Sequence, residues 1–157
     1  GAKKIIGSDM VKYRRDKANG LGADWTIDPS SKQIVAALKE LTSGDMADIV
    51  IVGPNSVRAL EGGISCAAPG GTVLMFTPVK PDETLTISPN DIYFKDISIV
   101  PSYSCGPDDT KEAFKLIDEG AVRASQVVTH RFPIEETERA FNLTAQAGES
   151  LKCLIVF

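Results

Sequence analysis

Two segments of this chain, Asp48 to Val52 and Thr72 to Phe76, are apolar at nearly every position. A strand with one wet face alternates apolar and polar residues. A strand without that alternation must be covered on both faces, as the inner strands of a parallel sheet are. Parallel neighbours need a long crossover, usually a helix, and the spacing supplies one. Ser56 to Ala67 lies between the two segments, with Val57, Leu60 and Ile64 at helical spacing. Gly62-Gly63 inside that helix costs about 1 kcal/mol per glycine against alanine, and close helix–strand packing is a reason to tolerate it.

The rest of the chain alternates in the same way. Lys3 to Asp9 reads as a short strand ending in an acid, and Val11 to Gly20 as a helix with Gly22 as its stop. Trp25 to Ile27 reads as a strand and Asp28-Pro29-Ser30 as a turn and cap. Ser31 to Ser43 is the clearest helix, with Ile34, Val35, Leu38 and Leu41 in phase and Gly44 after it. Pro69-Gly70-Gly71 reads as a turn, Leu85 to Ile87 as a strand, Ser88 to Asp91 as a capped turn, and Ile97 to Val100 as a strand. Thr110 to Glu119 reads as a helix with Ala113, Phe114, Leu116 and Ile117 inward and Gly120 as its stop. A strand at Val127 to Thr129, a helix at Glu135 to Ala145 and a strand at Leu151 to Val156 complete the chain. This pattern implies βαβ units with right-handed crossovers, and therefore an α/β, doubly wound parallel sheet.

Composition narrows the partners. The 157 residues carry 17 basic and 21 acidic side chains, a net charge of −4. Without a dense basic stripe, nucleic acid is not expected as the partner. No apolar run approaches the ~18 residues of a membrane span. The first twenty residues lack the basic start and apolar core of a secretory signal, so a cytoplasmic location is expected. Cys66, Cys105 and Cys153 are odd in number and form no C-x-x-C pair, which fits reduced thiols. With one histidine, His130, they make no zinc site by local spacing.

Ligands of doubly wound sheets sit at the carboxyl ends of strands. That rule selects Asp9, Gly53 to Asn55, Thr77 to Val79 and Ser102 to Ser104. An acid in the position of Asp9 can accept hydrogen bonds from both ribose hydroxyls of an adenosine and repel a 2′-phosphate, favouring NAD over NADP. Asp is equally a favoured helix N-cap, and both readings stand at this point. Arg14 could reach the same ribose or a phosphate, or belong to a solvated basic face with Lys12, Arg15 and Lys17. The glycine fingerprint of a dinucleotide site is not here, since Gly20-Leu21-Gly22-Ala23-Asp24-Trp25 fails at its last position. Its glycines normally precede the acid by about twenty residues, which places them before Gly1. The chain is therefore expected to start inside a Rossmann-like unit, after its first strand, phosphate loop and first helix. In the strand order 3-2-1-4-5-6 that first strand is central. The flanking strands, Lys4 to Ser8 and Asp48 to Val52, would then pair directly, accept a swapped partner chain, or leave the fold unstable.

Several segments, taken in order, resemble the zinc-dependent medium-chain alcohol and polyol dehydrogenases. They are Gly1 to Asp9, Leu21 to Asp24, Ala47 to Val52, Ala68 to Leu74, Val128 to Pro133 and Glu149 to Lys152. The stretch from Tyr93 to Cys105 is similar to a sorbitol- or threonine-dehydrogenase-like branch. The resemblance implies an oxidoreductase acting on a small alcohol or polyol with NAD, NADP being less favoured. It assigns Asp9 and Arg14 to the adenosine ribose, and Gly53, Pro54 and Asn55 to the nicotinamide ribose. Phe76, Thr77, Pro78 and Tyr103 fall along the nicotinamide, Lys152 reaches the pyrophosphate, and His130 is structural. It implies a partial dinucleotide-binding domain over 1–127 and a C-terminal segment, 128–157, that packs on the catalytic domain. Zinc, a Lewis acid in the full-length enzyme, is held in that family by an N-terminal domain and not by this chain, which alone is not expected to catalyse hydride transfer. A homo-oligomer, a dimer paired through Ile97, Ser98, Ile99 and Val100, is a further implication. Two alternatives remain at this point: a zinc-free quinone or enoyl reductase of the same superfamily, or a non-catalytic α/β module binding a nucleotide or protein.

Overall fold

The structure is a computed structural model describing residues 1–31 and 33–157. In chain order the elements are β1 (Ile6–Ser8), α1 (Lys12–Gly20), β2 (Trp25–Ile27), α2 (Ile34–Leu41), β3 (Ala47–Val52), α3 (Val57–Cys66), β4 (Ala67–Met75), α4 (Pro89–Lys95), β5 (Ser98–Pro101), α5 (Pro107–Asp118), α6 (Ala124–Val127), β6 (Val128–Pro133), α7 (Thr137–Gln146) and β7 (Lys152–Val156). A 3-10 turn, Ile134–Glu136, precedes α7. The part of the expected helix Ser31 to Ser43 that falls on Lys32 lies outside the described residues. The chain divides into two compact units, Gly1–Ser31 with Cys105–Phe157, and Lys32–Ser104.

In the first unit, β1 and β2 pair in parallel, Ile6 opposite Trp25, with α1 as the crossover. Helix α1 stops at Leu21, and Gly22 follows at φ +109, a conformation that glycine takes without a Cβ penalty. The Asp24 carboxylate accepts from the Ile5 N–H at 2.7 Å and its own N–H donates to the Ile5 carbonyl at 2.8 Å, which fastens the start of β1. Strands β6 and β7 form a second parallel pair, with a register shift between Val128 and His130. Phe132 and Ala140 are buried beside it, and the Arg139 guanidinium lies over the Phe132 ring at 5.5 Å.

The second unit is a three-stranded parallel sheet in the order β3-β4-β5. Its core is Val52, Leu60, Ala67, Val73 and Ile97, with Val50, Ile64, Leu85 and Ile92 packed against it. Helix α3 approaches β3 closely at Gly63, where no side chain intervenes. All paired strands of the chain are parallel and alternate with helices, so the fold is α/β and Rossmann-like.

Several expectations are corrected. Among the described residues, the central segment of β3 is covered on one face only. Val50 and Val52 lie toward α3, whereas Ile49 and Ile51 are 69% and 65% exposed. Pro69-Gly70-Gly71 is no free turn but a bulge inside β4. Pairing steps from Ala47–Ala67 to Ile49–Thr72, two residues of β3 against five of β4. Gly70 sits there at φ +76, and a Cβ on Gly71 would meet the Ala68 carbonyl at 2.8 Å. Leu85 to Ile87 forms no strand, and Leu85 packs on the core from irregular chain. Ser88 to Asp91 is the first turn of a helix, α4. The Ser88 hydroxyl accepts from the Asp91 N–H at 3.3 Å, and Pro89 supplies a first-turn residue with no N–H to satisfy. Phe114, Leu116 and Ile117 of α5 point outward, Phe114 at 69% exposed. Among the described residues, β1 hydrogen-bonds β2 alone and β3 hydrogen-bonds β4 alone. Among them, too, no helix is long and apolar enough to cross a membrane.

Candidate functional site

Asp9 follows β1 directly, and four contacts fix it. Its N–H donates to the Ile27 carbonyl at the end of β2, 3.3 Å away. Its carboxylate Oδ1 accepts from the Val11 N–H at 2.8 Å. Its Oδ2 stands 3.9 Å from Arg14 Nη1, and its own carbonyl accepts from Arg15 Nη1 at 2.7 Å. The helix begins at Lys12 with Val11 as N-cap, so Asp9 is not the cap. Its side chain remains 35% exposed, and Oδ2 makes no closer bond than the approach of Arg14. An ionised carboxylate has about four lone-pair sites, so capacity for two hydroxyl donors remains.

Arg14 is not part of a solvated basic face. Its Nη2 donates to the Ser150 carbonyl at 3.1 Å, joining α1 to the turn before β7. Its Nε is buried with no hydrogen-bond partner among the described residues. Ser150 is buried, and its hydroxyl reaches the Leu143 carbonyl at 3.4 Å. Lys152, two residues on, is exposed. Arg14 and Lys152 line one cavity of about 370 Å³ with Lys17, Leu21, Val127 and Leu151. The structure thus brings together three of the expected positions, Asp9, Arg14 and Lys152, in the first unit. His130 is half-buried, its Nδ1 3.0 Å from the Thr129 hydroxyl and its ring stacked on Phe132 at 6.1 Å.

The other positions lie in the second unit, at the carboxyl edge of its sheet. Gly53, Pro54 and Asn55 follow β3 and are exposed. The Thr77 hydroxyl donates to the Gly53 carbonyl in a short bond. The Phe76 N–H donates to the Val52 carbonyl at 3.1 Å, and the Ser102 N–H to the Met75 carbonyl at 3.0 Å. The two backbone bonds carry the strand register one residue past the sheet, and the Thr77 bond ties the chain after β4 to the chain after β3. Phe76 and Pro78 are exposed beside them, and Tyr103, 97% exposed, follows Ser102.

Arg15, by sequence a candidate for a solvated basic face, bonds the Asp9 carbonyl and links it to Asp28 of the following turn. Arg15 Nη2 pairs with Asp28 Oδ2 at 3.0 Å. Bonds from the Ser30 hydroxyl and the Ser30 N–H, with the Arg15 charge, hold the Asp28 carboxyl below the usual carboxylate range. The Asp28-Pro29-Ser30 turn was legible in the sequence, but nothing in local spacing joined it to Arg15. Among the described residues, no group of three or more His, Cys, Asp or Glu could hold a metal ion.

The family model for zinc-binding dehydrogenases matches residues 1–119. Sorbitol dehydrogenase of Halalkalibacterium halodurans is 31% identical over 155 residues, covering 99% of this chain and 45% of that protein. L-threonine 3-dehydrogenase of Bacillus licheniformis is 30% identical over 161 residues, with 99% and 45% coverage. The chain spans less than half the length of the curated relatives it matches. Among solved structures, a zinc-binding dehydrogenase of Sinorhizobium meliloti bound to NADP superposes with a TM-score of 0.92 at 25% identity, over 100% of this chain and 46% of that one. Benzyl alcohol dehydrogenase of Acinetobacter calcoaceticus gives 0.88 at 25% identity, over 99% and 43%. Matched over most of its length by that family model and carrying the same fold, the chain belongs to the zinc-binding dehydrogenase family.

Proposed function

We propose that the full-length protein is a zinc-dependent, NAD-linked oxidoreductase of small alcohols or polyols, of sorbitol- or threonine-dehydrogenase type, and that these residues form part of its dinucleotide site. The observation that carries this reading is the Asp9 turn. An acid stands at the carboxyl end of a parallel strand, its backbone held by the Ile27 carbonyl and the Arg15 guanidinium and its Oδ1 by the Val11 N–H, with Oδ2 3.9 Å from Arg14 and otherwise open among the described residues. Asp9 accepts the adenosine ribose hydroxyls there. Arg14 flanks the same ribose, and Lys152 offers charge to the pyrophosphate. Gly53, Pro54 and Asn55 present backbone to the nicotinamide ribose, and Phe76, Thr77, Pro78 and Tyr103 border the nicotinamide. Bound there, the nicotinamide supplies hydride acceptance.

NAD is favoured over NADP by two features. The Asp9 charge repels a 2′-phosphate, and the two neighbouring guanidiniums are engaged with backbone carbonyls. Zinc is assigned to the remainder of the full-length protein, as the resemblance to the zinc-dependent dehydrogenases implies. Residues 1–127 are assigned to the dinucleotide domain and 128–157 to a segment packing on the catalytic domain. The protein is read as cytoplasmic, and β5, bonded on one side to β4, as the strand that pairs with a second copy through Ile97, Ser98, Ile99 and Val100.

The test is calorimetric titration of the full-length protein with NADH and NADPH, repeated on Asp9→Asn. Tighter binding of NADH, weakened about tenfold by the substitution, is expected for the loss of charged hydrogen bonds. Absence of binding by either dinucleotide overturns the reading.

A further inference from the structure

Arg15 is one residue beyond Arg14, and its role is different. Its side chain is 16% exposed, and its bonds run to the Asp9–Met10 segment and to Asp28. Nη1 donates to the carbonyls of Asp9 at 2.7 Å and Met10 at 2.9 Å, and Nη2 pairs with Asp28. Asp28 is fixed in turn, its Oδ1 accepting from the Ser30 N–H at 2.9 Å and the Ser30 hydroxyl at 2.5 Å. The segment Asp9–Met10 is thus held between the guanidinium on its carbonyl side and the Ile27 carbonyl on its N–H side. Rotating the Asp9 backbone, which would swing the carboxylate, breaks bonds at both. Only a planar fork with several donors spans two carbonyls and a carboxylate together. A lysine ammonium is a single compact centre and cannot reproduce that geometry.

We propose that Arg15 is a positioning residue for the dinucleotide: held by Asp28, it clamps the Asp9 and Met10 carbonyls and so fixes the direction in which the Asp9 carboxylate meets the ribose hydroxyls. Arg15 itself touches no ligand. The inference rests on the assignment of Asp9 to the adenosine ribose, and the test separates the two.

The probes are ADP and 2′-deoxy-ADP, which differ by one of the hydroxyls that Asp9 accepts. Calorimetric titration of the full-length protein yields both affinities and, from the stoichiometry, the folded fraction. In the wild type ADP binds about tenfold more tightly than its deoxy analogue, the scale of one hydrogen bond to a charged group. Arg15→Met brings that ratio close to one, and Arg15→Lys and Asp28→Asn leave it between the two. If Arg15→Met does not fold, the two milder variants carry the test. A role confined to stability lowers the stoichiometry and keeps the wild-type ratio, and that result in all variants overturns the inference. A wild-type ratio of one removes the Asp9 assignment itself, and this inference falls with it.

Discussion

Gly63 in α3 stands so close to Val52 in β3 that a Cβ at position 63 would lie 2.5 Å from Val52 Cγ2. Its neighbour Gly62 has no such contact, since the nearest atom to a Cβ there is Ile34 Cγ2 at 4.0 Å. The two glycines therefore respond oppositely to one methyl group. Gly62→Ala gains the helix propensity of alanine, up to about 1 kcal/mol. At Gly63 the same gain is outweighed by overpacking against a stiff β-branched side chain, which costs about 1–3 kcal/mol. Urea denaturation of the full-length protein should show a raised midpoint for Gly62→Ala and a lowered one for Gly63→Ala. A raised midpoint for both would mean that α3 can retreat from the sheet.

That pair shows what the sequence could and could not convey. Two glycines in an apolar-phased helix signalled close packing, but phase alone did not say which one faces the strand. The same limit applies to α5. The spacing of Ala113, Phe114, Leu116 and Ile117 marked an apolar face, yet periodicity does not report what lies against it, and Phe114 is exposed. Short strands with flanking signals, such as Trp25 to Ile27 between Asp24 and Asp28, were legible to the residue. The alternation at Leu85 to Ile87 was not a strand, because pairing needs a neighbour that no local pattern supplies. At the candidate site, Asp9 was legible by its place at a strand end. The clamp on it was not, because Arg15 and Asp28 meet only after β1 and β2 pair.

The Asp28 carboxyl should give the fold an acid-sensitive component. Its hydrogen bonds from Ser30 and the charge of Arg15 stabilise the ionised form, so its folded pKa lies below the unfolded one. The unfolded chain then takes up the proton first as pH falls. The stabilisation is complete above the unfolded value of about 3.9 and is lost as pH falls through the folded value. Denaturation midpoints of wild type and Asp28→Asn should differ above about pH 5 and draw together as pH falls below the unfolded value. Parallel decline of both proteins through that range would show that the ionised Asp28 carboxylate, with its bonds from Ser30 and its pairing with Arg15, adds nothing to stability.

The three cysteines should label in a fixed order. Cys66 lies buried at the end of α3, and burial pushes its thiol pKa up, which lowers the thiolate fraction that reacts. Cys105 is exposed in the chain before α5, and Cys153 is half-buried in β7. Peptide mapping by mass spectrometry after brief maleimide treatment should find Cys105 modified first and Cys66 last. Labelling of Cys66 should accelerate in step with urea unfolding. Early modification of Cys66 under native conditions would place α3 away from the β3 and β4 core.

Cofactor preference should be set at Asp9 and should not reverse when Asp9 alone is changed. If Asp9 meets the adenosine ribose as proposed, its carboxylate repels a 2′-phosphate, and Asp9→Ser removes that barrier together with the ribose contact. Reversal also needs a cation free to hold the phosphate. Arg14 donates to the Ser150 carbonyl and Arg15 to those of Asp9 and Met10, so neither guanidinium is idle. The expected result in the full-length protein is an NADH affinity lower by about tenfold, a modest rise for NADPH, and a ratio approaching one rather than inverting. Strong NADPH preference in Asp9→Ser would show that Arg14 or Arg15 leaves its carbonyl partners to bind phosphate. An unchanged ratio would place the ribose away from Asp9.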